Sequence, residues 1–272
     1  MKTFTKIGFF MVLLVSLTTF NCQQKTSWKE LNDQTMTLYQ QEQYSEATKI
    51  AKKALKLAKK TFGPEHPNVA KSMNNLAELY RVQGEYAQAE PLLKQALTIN
   101  ENALGKDHLD VAINLNNLAG LYKSQLRYAE AESLFKEVLA LNEKILGKDH
   151  PDIAVGLDNL AGLYESQGKH DEAEPIYKRA LVIYEKNLGS DHPAVAKILN
   201  NLAGVYYSQG KFAQADSLYQ RSLTISEQTL GPNHLDVATV VENMAALYKR
   251  MGKDDTARQL EERAKTIRAG NQ

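Results

Sequence analysis

The hydrophobic residues of this 272-residue chain follow the spacing of amphipathic helices. Within residues 67–104, one set of apolar positions recurs in steps of three and four: Val69, Met73, Leu76, Ala77 and Tyr80. After Gly84 a second set does the same: Tyr86, Ala89, Leu93, Ala96 and Leu97. Steps of three and four place side chains on one face of a helix. The pattern therefore predicts two amphipathic helices joined by a turn at Gly84.

This two-helix pattern repeats along the chain with a constant step of 42 residues and no insertion. The triplet Asn-Leu-Ala, or Asn-Met-Ala in the last unit, begins at Asn75, Asn117, Asn159, Asn201 and Asn243. Tyrosine, alanine and Gly-x-x-His columns keep the same step, and we interpret the recurring tyrosines as core residues. A single helix pair is too small to bury its apolar face, whereas stacked pairs can do so. The predicted fold class is therefore all-α, an α-solenoid of stacked antiparallel helix pairs.

Glycine, proline and histidine mark the predicted helix ends. Gly63 and its equivalents end the second helices, and Pro67 and its equivalents open the following first helices. The recurring histidines are His66, His108, His150, His192 and His234. Equivalent positions of stacked pairs lie roughly 10–20 Å apart, whereas the nitrogen ligands of one zinc lie about 2.0–2.1 Å from it. We expect these histidines to cap turns and expect no metal site. In one column Leu126 replaces glycine, and we expect that turn to differ in shape.

Six helix pairs are predicted within residues 30–268, followed by a tail at 269–272. Their ranges are about 30–62, 67–104, 109–146, 151–188, 193–230 and 235–268. The first pair is degenerate, because Asp33 and Thr35 stand in the Asn and Ala columns. The last helix is a cap, since it is highly charged and Glu261 replaces an apolar residue.

The N-terminal segment differs from the array. Lys2 and Lys6 precede an uncharged, mostly apolar run at residues 7–20, which is shorter than a membrane-spanning helix requires. With Cys22 after it, residues 1–21 resemble a bacterial lipoprotein signal peptide, in which the cysteine becomes the lipidated N-terminus; residues 23–29 form a short linker. Asn21 departs from the small residue usual before that cysteine. The alternatives are a plain cleaved signal peptide and an uncleaved anchor.

Composition excludes several function classes. Lys and Arg number 33 and Asp and Glu 32, for a net charge of +1, so nothing favours a nucleic-acid partner. Cys22 is the one cysteine, so no intramolecular disulfide forms. The chain contains no Gly-x-Ser-x-Gly, His-Glu-x-x-His or phosphate-loop motif. We therefore expect no enzyme activity, no catalytic residue and no cofactor.

The recurring columns identify a resemblance. Asn-Leu-Ala, then Tyr, Gly-x-Tyr, Ala and Ala-Leu resemble the tetratricopeptide repeat (TPR), whose usual period is 34 residues. The 42-residue period with Gly-Pro-Glu-His-Pro-Asn-Val-Ala, at residues 63–70, is similar to the repeats of kinesin light chains and their bacterial relatives. The resemblance covers about residues 30–268. It implies a right-handed superhelix with a concave groove, and a scaffold that binds another protein or peptide.

The asparagine column is the candidate binding site. Asn75 lies away from the apolar stripe of its helix, and its side-chain amide can donate to and accept from a peptide main chain. The resemblance implies that Asn75, Asn117, Asn159, Asn201 and Asn243 contact a bound segment, with Asn74, Asn116 and Asn200 beside them. Lys71 and Lys123 add positive charge, which favours acidic segments or is only a solvated surface. The structural alternative is that each Asn side chain bonds the backbone of an adjacent repeat.

Gly120, Gly162 and Gly204 follow the asparagines, and either leave room for a ligand main chain or permit close helix packing.

The sequence thus predicts an exported scaffold in the periplasm or at the outer membrane, which contacts membrane only through a lipid anchor at Cys22. The alternative is an intracellular or membrane-anchored adaptor, like kinesin light chains, with an uncleaved N-terminal anchor.

Overall fold

The computed structural model describes residues 27–271, and all its regular elements in that range are α-helices. In chain order they are α1 (Trp28–Gln40), α2 (Tyr44–Phe62), α3 (Pro67–Val82), α4 (Tyr86–Leu104), α5 (Leu109–Ser124), α6 (Tyr128–Leu146), α7 (Pro151–Ser166), α8 (His170–Leu188), α9 (Pro193–Ser208), α10 (Phe212–Leu230), α11 (Leu235–Arg250) and α12 (Asp254–Ala269). The predicted signal segment 1–21, Cys22 and the start of the linker lie outside the described residues. None of the helices in the described range is long and apolar enough to cross a membrane.

The helices stack in pairs along one direction. Each odd-numbered helix packs against the even-numbered helix after it, and that helix packs against the first helix of the next pair. First helices of neighbouring pairs also touch directly, as α1 and α3, α3 and α5, and α9 and α11 do. The predicted all-α solenoid is confirmed.

A continuous core runs through the stack. Alanines at the pair contacts are fully buried: Ala77, Ala119, Ala161 and Ala203 in the first helices, and Ala89, Ala131, Ala173 and Ala215 in the second. Alanine at these positions lets neighbouring helix backbones approach closely. The last helix, α12, buries only Ala257, Ala264 and Ile267 and exposes its other side, as a capping helix does. The core therefore belongs to the array and not to any one pair.

The recurring tyrosines hold one pair to the next. The rings of Tyr80, Tyr122, Tyr164 and Tyr206 are buried, which confirms their predicted place in the core. Four hydroxyls donate to a carboxylate of the preceding pair: Tyr122 to Glu90 (3.2 Å), Tyr164 to Glu132 (2.9 Å), Tyr206 to Glu174 (3.4 Å) and Tyr248 to Asp216 (2.7 Å). We call these contacts the tyrosine ladder.

The histidines cap the first helices, as predicted. In each case Nδ1 accepts a hydrogen bond from the backbone N–H two residues later, at 3.1–3.2 Å: His66 from Asn68, His108 from Asp110, His150 from Asp152, His192 from Ala194 and His234 from Asp236. Each bond satisfies one of the N–H groups that a helix start leaves without a partner.

The prediction of a different turn at Leu126 is wrong. Leu126 adopts φ 61°, close to the 76° of Gly84 and the 70° of Gly168. Its N–H donates to the Lys123 carbonyl at 3.0 Å, as that of Gly84 does to the Arg81 carbonyl at 3.0 Å. The stacking contacts on both sides fix the turn, so leucine is held in the left-handed region. This conformation costs an L-residue about 1–2 kcal/mol.

Replacing Leu126 with glycine is expected to stabilise the protein by about 1 kcal/mol, because it relieves that strain. Little burial is lost, since Leu126 is 70% exposed. The midpoint of urea unfolding measures the change. Gly168→Leu is the matched control: a Cβ there meets nothing within 4 Å, so it should lose a similar amount through strain alone. Equal midpoints for wild type and Leu126→Gly would contradict the account.

Candidate functional site

The first helices together form a surface that we call the inner groove. On α5 this surface consists of Leu109, Ile113, Asn117, Gly120 and Ser124, which lie three or four residues apart and are all at least partly exposed. Ile113 is 51% exposed, which is unusual for an isoleucine in a helical array. Equivalent residues of α3, α7, α9 and α11 continue the groove along the stack.

Four of the five column asparagines bond the preceding pair. Their Nδ2 groups donate to a side-chain oxygen there: Asn75 to Asn32 (3.0 Å), Asn159 to Asn116 (2.8 Å), Asn201 to Asp158 (2.9 Å) and Asn243 to Asn200 (2.9 Å). We call these bonds the asparagine ladder. The predicted neighbours Asn116 and Asn200 thus serve as acceptors between pairs. Contact of these asparagines with a partner stays a prediction.

The ladder is interrupted at Asn117. Its expected acceptor, Asn74, is buried and accepts instead from Nδ2 of Asn114 at 3.0 Å. Asn114 is fully buried, and its own Oδ1 accepts from Nδ2 of Asn100 at 2.7 Å. The side-chain amide of half-buried Asn117 makes no hydrogen bond within residues 27–271. Asn117 is therefore the column asparagine whose donor and acceptor both remain available.

The two predicted lysines differ in their surroundings. Lys71 is exposed on the first half of α3. Lys123 is half-buried, and its Nζ donates to the Gly162 carbonyl of the next pair at 2.8 Å. Burial lowers the pKa of Lys123, against the attraction of Glu165 and Asp158. Lys123 therefore holds the stack together as well as charging the groove.

The small residues of the groove serve different purposes. A Cβ at Gly162 would lie 3.6 Å from the Tyr177 hydroxyl, and one at Gly204 would lie 3.7 Å from that of Tyr219. Both tyrosines belong to second helices and are buried against these glycines, so these two glycines make room for packing. A Cβ at Gly120 would meet nothing within 4 Å. Among the three glycines, only Gly120 faces open space.

A half-buried carboxylate lies at the middle of the groove. Glu165 accepts a short hydrogen bond from the Tyr177 hydroxyl. Burial raises the pKa of Glu165, although the bond from Tyr177 and the nearby His170 and Lys123 act in the opposite direction. Burial, and then the charge of Glu165, raise the pKa of Tyr177.

An ion pair on α3 lies near the N-terminal end of the groove. Glu78 occupies on α3 the position that Gly120, Gly162 and Gly204 occupy on later first helices. Its carboxylate accepts hydrogen bonds from Nε and Nη2 of Arg81 at 2.7 and 2.6 Å and from the Tyr39 hydroxyl at 2.9 Å. Burial and this bond raise the pKa of Tyr39 to about 12. A cleft of about 540 Å³ begins beside the pair, and its lining includes Arg81, Asn117, Gly120 and Lys123.

A chain of stacked helix pairs with one continuous inner groove defines an α-solenoid repeat protein. The sequence profile of the family described as "Tetratricopeptide repeat" matches residues 35–102, 69–144, 110–186, 152–228 and 194–269. The chain belongs to the tetratricopeptide repeat family. No curated protein matches its sequence significantly.

Solved structures show the same fold. A Podosopora anserina protein described as a kinesin light chain with nearly identical TPR-like repeats is 26% identical, with a TM-score of 0.61, over 74% of this chain and 95% of that one. BtubC (BKLC) from P. vanneervenii is 24% identical, with a TM-score of 0.67, over 88% and 91%. A Rap protein complexed with Competence and Sporulation Factor is 17% identical, with a TM-score of 0.64, over 92% and 77%. The predicted likeness to TPR arrays of the kinesin-light-chain type is confirmed.

The raised pKa of Glu165 predicts that Glu165→Gln is more stable than wild type at pH 7. A carboxyl whose folded pKa is raised contributes stability below its unfolded pKa of about 4.3 and loses it as the pH rises through the folded pKa. Glutamine stays neutral and still accepts from Tyr177. Urea midpoints at several pH values should show the advantage at pH 7 and its disappearance near about pH 4.

Glu174→Gln is the control of opposite sign. Hydrogen bonds from Lys178 foremost and also from Lys211 lower the pKa of Glu174 to about 2. Its contribution is present above about pH 4.3 and is lost as the pH falls through about 2. Glu174→Gln should therefore be less stable than wild type at pH 7. The same pH trend for both variants would overturn the assignment.

Proposed function

We propose that this protein is a non-catalytic scaffold that holds an extended segment of a partner protein in its inner groove. The observation that carries the proposal is Asn117, whose amide faces the groove and has no hydrogen-bond partner among residues 27–271. Four equivalent asparagines show what such an amide does when an acceptor lies within reach: it donates to it.

An extended segment suits the surroundings of Asn117. A peptide in extended conformation presents free N–H and C=O groups, and a side-chain amide can bond both. Gly120, one turn further along α5, leaves room for a main chain to approach the helix. Ile113, one turn before Asn117 on α5, and Val155, its equivalent on α7, are 51% and 48% exposed. They offer apolar contacts to side chains of the segment.

The fold itself supports the proposal. Tetratricopeptide repeat proteins are commonly scaffolds for protein interactions and are generally not catalytic. The Rap protein with the same fold is complexed with Competence and Sporulation Factor. In the present chain, the groove provides an amide and apolar surface along α5 and α7, which suit recognition and not bond cleavage.

We further propose that the scaffold is exported and anchored by a lipid at Cys22. The support lies in the sequence: Lys2 and Lys6, the apolar run at residues 7–20, and the lone cysteine two residues after its end. A single lipid chain binds membranes only marginally, so stable anchoring takes more than one chain. The partner segment would then be met in the cell envelope.

Asn117→Ala is expected to weaken partner binding about tenfold, the equivalent of about 1.4 kcal/mol, with the fold unchanged. Affinity purification from the native envelope, followed by quantitative mass spectrometry, measures which partners the variant loses. Urea unfolding should give the wild-type midpoint, because the Asn117 side chain makes no hydrogen bond to lose in the described part of the chain.

Asn159→Ala is the matched control. It removes the 2.8 Å bond to Asn116 and is expected to lower stability by about 1 kcal/mol, with a smaller effect on partners. If every partner of the wild type survives in Asn117→Ala, and in Asn117→Ala/Asn159→Ala/Asn201→Ala as well, the asparagines are structural and the groove assignment is wrong.

The export proposal predicts a mature chain that begins at an acylated Cys22. Intact mass spectrometry of the native protein should show the loss of residues 1–21 and a mass increase from lipid. Cys22→Ser should abolish acylation and leave the helical array folded, since residue 22 precedes it. A native chain that retains residues 1–21 would instead support the membrane-anchored adaptor.

A further inference from the structure

The second and third helix pairs leave a pocket of about 260 Å³ at the inner groove. Five asparagines line its polar part: Asn68, Asn74, Asn75, Asn100 and Asn117. We call it the amide pocket. Lys71 and Asp110 also line it, so its charged groups are one of each sign.

Three asparagine side chains form a directional chain beside this pocket. Asn100 donates to Asn114, and Asn114 donates to Asn74, at 2.7 and 3.0 Å. The first member, Asn100, is 3% exposed, and its Oδ1 is a buried acceptor with no donor within residues 27–271. The last member, Asn74, keeps an Nδ2 donor that makes no hydrogen bond in that range. Among the described residues, this chain of amides at the pocket therefore ends in a buried acceptor that lacks a donor and, at its other end, in a donor that lacks an acceptor.

We infer that the amide pocket binds a carboxamide side chain, of Asn or Gln, belonging to the segment held in the groove. This inference rests on the proposed function. A carboxamide presents two N–H donors and a carbonyl acceptor in one plane. Its NH₂ group donates to Oδ1 of Asn100, and its oxygen accepts from Nδ2 of Asn74 or Asn117. A buried acceptor left without a donor is costly, so the ligand's donor supplies much of the selectivity.

Other side chains satisfy only part of this set. An ammonium group has donors only, and a carboxylate has acceptors only. With Lys71 and Asp110 both at the pocket, no net charge favours either one. A volume of about 260 Å³ far exceeds the ~30 Å³ that one water molecule takes up in the liquid. The pocket thus has room for a side chain.

The array itself shows how such a pocket is closed. At the junction between the fourth and fifth pairs, Tyr184 and Ile198 stand at the positions of Asn100 and Asn114, and both are buried. There Asn201 donates to Asp158 at 2.9 Å, which is the ladder bond that Asn117 lacks. The double variant Asn100→Tyr/Asn114→Ile copies this solution. It fills the amide pocket and frees Oδ1 of Asn74 to accept from Asn117.

Selection from a phage-displayed random peptide library tests the inference, with the full-length wild type and Asn100→Tyr/Asn114→Ile as parallel targets. Wild type should enrich peptides with Asn or Gln at one fixed position, and the variant should lose that preference. In a selected peptide, replacing Gln with Met, or Asn with Leu, should weaken wild-type binding about tenfold, or about 1.4 kcal/mol, and leave variant binding unchanged. Circular dichroism and thermal unfolding verify that the variant is folded.

The outcomes separate this inference from the proposed function. If wild type selects peptides without a preference for Asn or Gln, or if the folded variant keeps that preference, the carboxamide pocket is wrong and the groove stands. If wild type selects no peptide at all, the proposed function fails and the inference fails with it. Should the variant not fold, the Gln→Met comparison on wild type still decides, because equal affinities would overturn the inference.

Discussion

The structure depends on one constraint: no helix pair buries its own apolar surface, so each must be covered by its neighbours. Fully buried alanines bring the backbones close enough for this to happen. Close stacking alone does not fix how far one pair slides along the next. Two sets of directional bonds do so: the tyrosine ladder, with distances of 2.7–3.4 Å, and the asparagine ladder, with distances of 2.8–3.0 Å at every junction of the column except that of Asn117. The groove inherits its regular spacing from them.

Polar groups in the groove are divided between holding the stack and facing outward. Lys123, which composition would mark as a binding charge, is tied to a carbonyl of the next pair. Glu78 and Arg81 neutralise each other at one end of the groove. Asn117 is the one column asparagine that does not bond the preceding pair, because its expected acceptor, Oδ1 of Asn74, accepts from Asn114 instead. A buried asparagine at position 114, where the other repeats have serine, glycine, isoleucine or valine, therefore leaves the side chain of Asn117 able to bond a partner.

The sequence predicted those structural features that recur in every repeat. Helix pairs, histidine caps, the tyrosine core and the asparagine column each leave a signal at a 42-residue step, since each reflects a contact that every pair makes. The interruption at Asn117 leaves no such signal. Asn114 shares its column with serine, glycine, isoleucine and valine, and only the packed arrangement brings it to Asn74. The turn at Leu126 was misjudged for a related reason: neighbouring contacts override the local preference of leucine.

Because each helix pair contacts only the pairs beside it, the described array can deform elastically along its length. A small rotation at one junction does not have to be absorbed by a closed core, and rotations at successive junctions add up along the stack. The width of the groove is thus a property of the whole array, while the chemistry at each junction is set locally. Such an array can change the width of its inner groove through small rotations at the junctions, with the contacts inside each pair kept.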